Sequence, residues 1–196
     1  MDKKQLVAIS SDNEKIAVRT LPPVLPILTP EEINVPFVTC EQMLAHNSSR
    51  QLNLAELAVE YESARGGVGR DDILEKMFEF VRTMKNSVRI GLAGTNYKDR
   101  ILGCQSTLYN KELKIGKLLD IGILNQIILY VSALMEVKSS MGVIVAAPTA
   151  GSCGGLPGAV LGASDVMGCD EKEAGKELLA AGMIGVFISK FSTFAA

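Results

Sequence analysis

Tryptophan is absent from this 196-residue chain, histidine occurs once, at position 46, and there is no excess of basic residues: the formal net charge is −2. A nucleic-acid binder usually presents a basic face, so nucleic acid is excluded as the expected partner. The four cysteines, Cys40, Cys104, Cys153 and Cys169, never approach CxxC spacing. A zinc site or local redox pair is therefore not indicated, and a reduced, cytoplasmic setting is expected. Met1 is followed by Asp-Lys-Lys-Gln rather than by the apolar run of a signal peptide. Long uninterrupted apolar runs are missing too. Asp120, Asn125 and Gln126 interrupt Leu118–Val137, and Leu178–Ser189 is about half the ~20 residues a membrane span needs. Both are expected to be buried helices. No repeat or low-complexity tract appears.

What is present is apolar and helical. Hydrophobic residues make up 47% of the chain, enough for a sizeable core. Residues 1–36 are expected to form an extended N-terminal arm: Leu21-Pro22-Pro23-Val24-Leu25-Pro26 is held extended by its prolines, and Gln5–Ile9 has the composition of a short strand. From residue 37 to 196 the signals are those of a mainly α, buried helical bundle. Thr39 with Gln42 reads as a capping box, and Asn53 with Glu56 as the start of the next helix. Leu54, Leu57, Ala58 and Tyr61 form one apolar face, stopped by Gly66-Gly67. Asp71-Asp72 open a third helix carrying Ile73, Met77, Phe80, Val81, Met84 and Val88 at helical spacing, and Gly91–Gly94 breaks it. Leu113–Gly116 leads into the apolar segment ending at Glu136, and Asp170–Glu173 opens the last helix. Several helices are apolar on more than one side, so deep burial is expected.

The stretch that demands a special backbone is Pro148–Gly158. A short β-branched run enters it, and a helix-compatible segment, Ala159–Val166, leaves it. Gly151, Gly154, Gly155 and Gly158 are expected to permit positive φ and close approach of a ligand. A turn entering a helix leaves N–H groups unpaired at the positive end of the dipole, which suits phosphate or carboxylate. No Gly-Lys-Ser/Thr follows, so it is not a Walker loop; neither is it a GxGxxG fingerprint. A weaker reading makes Val143–Ala147 the strand of an α/β nucleotide binder. Thr149 and Ser152 are candidate hydrogen-bond donors to a substrate, with helix capping as the alternative. Ser152 has no base at hand, since His46 lies in a distant helix and reads as a helix-end residue. Cys153 reads as a small packed thiol and Lys190 as an end residue whose stem covers apolar surface.

Met141-Gly142, Ala147-Pro148-Thr149-Ala150-Gly151-Ser152-Cys153-Gly154 and Leu156-Pro157-Gly158 together resemble the signature of the α chain (catalytic domain) of iron–sulfur L-serine dehydratases. Cys40–Leu44, Glu56–Glu62, Gly91–Gly94 and Ala181–Gly185 resemble that family's flanking helices and turns, so that the resemblance covers roughly residues 37–196. It implies β-elimination of L-serine, or a related hydroxy amino acid, to pyruvate and ammonia, with the open iron of a [4Fe–4S] cluster acting on the substrate hydroxyl. It implies substrate binding by Thr149, Ala150, Gly151, Ser152 and Gly154. It also implies a β domain or subunit, a remaining α-chain segment and an oligomer as partners. The family's cluster cysteines lie beyond Ala196, and Phe191–Phe194 departs from the family's Asn-Ala-Ser-Ile-Ser pattern. The chain is therefore expected to be the cofactor-less N-terminal part of a catalytic domain, inactive alone, with no metal ligand and no identified general base. A non-catalytic binding or assembly subunit using the same turn is the alternative.

Overall fold

The computed structural model describes residues 34–147 and 149–192. Most of the expected arm, with Gln5–Ile9 and Leu21–Pro26, lies outside them, as do Pro148 and residues 193–196. The described residues form helices and no strand: α1 (Cys40–Asn47), α2 (Leu54–Gly66), α3 (Arg70–Ala93), α4 (Ser106–Lys114), α5 (Ile123–Ser139), α6 (Gly155–Met167) and α7 (Glu171–Phe191). The mainly α reading stands. The α/β nucleotide-binder reading does not, because 142–146 runs without regular structure and no neighbouring strand pairs with it.

Local sequence sets most helix starts. Asn53 Oδ1 accepts from Glu56 N–H at 2.9 Å while Glu56 Oε2 accepts from Asn53 N–H at 2.8 Å. Asp170 and Glu173 repeat this exchange at 2.8 and 2.7 Å, which holds the Asp170 carboxyl below its ordinary range. At α1 the box is displaced: Thr39 Oγ1 accepts from Gln42 N–H, but Gln42 Oε1 reaches Val38 N–H instead of the cap's own. Gly67 ends α2 at φ 60°. The expected break at Gly91–Gly94 falls at the far end of that stretch. Gly91 is buried inside α3, and the chain turns at Gly94, with φ 99°.

Two apolar clusters share α7. Phe37, Met43, Leu57, Ala58, Tyr61, Leu179, Met183 and Phe187 join α1, α2 and α7. Val81, Met84, Val88, Leu134, Leu161, Ala174 and Leu178 join α3, α5, α6 and α7. Helix α5 is central, packed against α3, α4 and α6. Its far side is less covered than its composition suggests. Leu124 and Ile128 on α5, and Ile184, Ile188 and Phe191 on α7, are exposed, so the expected deep burial holds on only part of the surface of each helix. Polar contacts also tie α3, α5 and α6: Tyr130 Oη donates to Asp165, which Lys85 also approaches at 3.6 Å. Burial and that bond push the Tyr130 hydroxyl up to about 12.

Candidate functional site

The turn that precedes α6 is built from its own hydroxyls. Thr149 N–H donates to Ser152 Oγ at 3.2 Å, Ser152 N–H to Thr149 O at 3.2 Å, and Ser152 Oγ to Ala147 O at 3.1 Å. The Thr149 and Ser152 hydroxyl oxygens stand 3.1 Å apart. Both side chains thus hold the turn in shape, and donation to a ligand requires exchange of these bonds. The approach to the turn is fixed from outside. Ser87 of α3, 1% exposed, donates through Oγ to Val143 O at 2.7 Å. Before that, Met141 takes the left-handed conformation at φ 57°, and Gly142 N–H closes on Val137 O at 2.8 Å, which turns the chain out of α5.

The glycines do something other than expected. None of Gly151, Gly154, Gly155 or Gly158 has positive φ. Gly154 and Gly158 are glycine because α5 lies against them. A Cβ on Gly154 would stand 2.7 Å from Met135 Cγ, and one on Gly158 would stand 2.7 Å from Val131 N. Gly162 continues the row, with Ile127 Cα at 2.9 Å. Sequence reading missed this ridge of glycines, although the four-residue spacing from 154 to 162 was visible. Gly151 and Gly155 are different. Both are exposed; a Cβ on Gly155 would meet nothing within 4 Å, and one on Gly151 only Thr149 Oγ1 at an ordinary 3.4 Å. Neither backbone conformation nor internal packing accounts for these two glycines. Ala150, beside them, is exposed as well.

The remaining chemistry-bearing residues are dispersed. Cys153 is 1% exposed, and burial pushes its thiol up, with the Lys138 charge opposing. Cys40 and Cys104 are exposed on α1 and before α4, and Cys169 is half-buried after α6. Among the described residues no group of three or more His, Cys, Asp or Glu side chains could hold a metal ion. The cysteines described therefore do not fit an iron–sulfur cluster within this chain. His46 sits in the last turn of α1, as expected, with Nε2 at 3.2 Å from Glu60 Oε2 and 3.0 Å from Arg50 Nη1. Lys190 is exposed near the end of α7. Two clefts lie away from the turn: an apolar one of about 400 Å³ between α2, α3 and α7, and an open one of about 480 Å³ around Glu60, Arg50 and Arg70. No helix of the described residues is long and apolar enough to cross a membrane.

The family model described as "Serine dehydratase alpha chain" matches residues 49–196, which include the turn and six of the seven helices. The chain belongs to the serine dehydratase alpha chain family. It is 22% identical over 153 residues to the probable L-serine dehydratase, alpha chain, of Bacillus subtilis (strain 168), covering 78% of this chain and 51% of that protein. It is 28% identical over 160 residues to the L-serine dehydratase, alpha chain, of Peptoniphilus asaccharolyticus, covering 80% of this chain and 54% of that protein. The chain thus spans about half the length of these curated relatives. No solved structure matches it.

Proposed function

We propose that this chain supplies the carboxylate-holding part of an L-serine dehydratase, a lyase that eliminates water from L-serine and leads to pyruvate and ammonia. The observation that carries the reading is the pair Gly151 and Gly155, exposed on the turn before α6, where a Cβ would meet nothing closer than Thr149 Oγ1 at 3.4 Å. A side chain there would fill the volume a ligand's carboxylate needs to reach the backbone. The start of α6 adds the positive end of a 13-residue helix dipole. Thr149, Ala150 and Ser152 shape the wall, and Gly154 sets the turn on α5. The names of the two relatives support serine as substrate and a partner chain.

The [4Fe–4S] cluster expected for an iron–sulfur type would take its ligands from outside these residues. Within this chain the task is to bind and orient the amino acid. The test is the assembled protein assayed anaerobically for pyruvate from L-serine. Gly151→Val is expected to raise KM for L-serine at least about tenfold, while the melting temperature stays within ~3 °C because the site is open inside the fold. An unchanged KM would sink the reading.

The exposed apolar residues of α5 and α7 favour a second role, in assembly. Leu124, Ile128, Ile184, Ile188 and Phe191 need a cover in water. Size-exclusion chromatography with light scattering is expected to show this chain as an oligomer or bound to its partner chain; a well-behaved monomer argues against an obligate partner.

A further inference from the structure

We propose that the open cleft between the end of α1, α2 and the start of α3 binds a small phosphate, free or esterified, between the guanidinium groups of Arg50 and Arg70. The cleft holds about 480 Å³, a volume suited to a small molecule, and His46, Arg50, Glu60 and Arg70 all line it. The charges there do not balance. Among the described residues that line the cleft, Glu60 is the only carboxylate, and it meets two arginines. Arg50 Nη1 stands 2.9 Å from both of its oxygens, and Arg70 Nη1 stands 3.6 Å from Oε1. Neither arginine pairs with any other carboxylate among the described residues. One positive charge is therefore left over even with a neutral imidazole.

The hydrogen bonds are as uneven as the charges. Arg50 Nη1 carries two hydrogens, yet it stands within 3.0 Å of three polar atoms, the two Glu60 oxygens and His46 Nε2. His46 Nε2 is also 3.2 Å from Glu60 Oε2, and it cannot accept from Arg50 and donate to Glu60 at once. The Nε and Nη2 donors of Arg50 have no partner among the described residues, and Arg70 makes no hydrogen bond there. An anion on those free edges draws Arg50 outward and leaves His46 Nε2–H to donate to Glu60. Both guanidinium groups reach the same oxygen, Glu60 Oε1, so they stand close enough for one tetrahedral oxyanion to span them. A carboxylate fills one guanidinium edge, whereas the oxygens of a phosphate engage two. The base of the cleft is fixed and its rim is open. The His46 ring packs 5.5 Å from that of Phe37, which is 2% exposed, and the Glu60 side chain is 20% exposed against 46% for Arg50 and 52% for Arg70. A net charge of −2 for the whole chain surrounds the pair with no wider basic field, which favours a small phosphate over a nucleic acid or a lipid surface.

The experiment is calorimetric titration of the assembled protein with inorganic phosphate, glycerol 3-phosphate and acetate at one fixed salt concentration. Both phosphates are expected to saturate a single site with a Kd of about 1 mM or tighter, and acetate to bind at least about tenfold more weakly. The tighter of the two phosphates identifies the source, an ester pointing to a phosphorylated metabolite and the inorganic ion to free phosphate; both results uphold the site. Arg70→Met is expected to raise the phosphate Kd at least about tenfold while the melting temperature stays within ~2 °C, because its half-exposed pair with Glu60 contributes little stability. Arg50→Met is expected to lose at least as much affinity. Arg65→Met removes the same charge from α2 outside this cleft and is expected to leave the Kd within about twofold of wild type. Absence of saturable phosphate binding by the wild type overturns the proposal. So does a Kd within about twofold of wild type in Arg70→Met, or an equal loss in Arg65→Met. Acetate binding as tightly as phosphate overturns the assignment to phosphate.

Discussion

Glu136→Leu is expected to destabilise the protein by about 3 kcal/mol and to release the start of α4, because it leaves buried donors without an acceptor. Glu136 is 3% exposed on α5. Its Oε1 accepts from the backbone N–H of Gln105 and of Ser106, both at 2.7 Å, and its Oε2 accepts from Ser106 Oγ at 2.8 Å. Helix α4 has no side-chain cap of its own, so this carboxylate acts as its cap from the neighbouring helix. Leucine fills the volume but accepts nothing. Ser106 keeps only the longer bond from its hydroxyl to Gly91 O, at 3.2 Å. Glu136→Gln retains one oxygen and is expected to lose roughly half as much. Urea unfolding gives the free energies, and hydrogen exchange at Ser106 reports the local opening. A Glu136→Leu variant within ~1 kcal/mol of wild type, with Ser106 still protected, rules out this capping role.

The second large effect is expected at the glycine ridge. Gly158→Ala should cost about 2–3 kcal/mol, since the new Cβ would stand 2.6 Å from Val131 Cγ2 and 2.8 Å from Val131 Cα, and backbone cannot swing aside as a side-chain end can. Gly182→Ala on α7 is the contrasting case. Its Cβ meets nothing within 4 Å, so alanine's better helix propensity should stabilise by up to about 1 kcal/mol. The pair separates packing from propensity, because the chemical change is the same. Equal effects of the two substitutions on the urea midpoint would mean that α5 and α6 are not in close contact. Because Gly154 belongs to the same seam, a displaced α6 would also move the turn, so Gly158→Ala should weaken binding at the site along with stability.

Much of this fold is local and therefore legible. Asn53 with Glu56 and Asp170 with Glu173 cap helices through bonds spanning three residues, which no distant contact needs to arrange. The apolar spacing of Val81, Met84 and Val88 announced the buried side of α3. The special character of Gly151–Gly158 was legible as well, but not its cause. Positive φ was expected; close helix contact at Gly154 and Gly158, with room for a Cβ at Gly151 and Gly155, was found. Helix α4 escaped notice because its cap is contributed from 30 residues away.

By itself, then, the sequence determined the family and, through residues within a turn or two of one another, most of the helices, most of their starts and the place of the turn. The tertiary structure alone decided which glycines α5 requires and which face solvent, and that Glu136 serves α4 rather than a metal or substrate. Those assignments depend on how one helix slides along another, and the close contacts of Met135, Val131 and Ile127 with three glycines set that register.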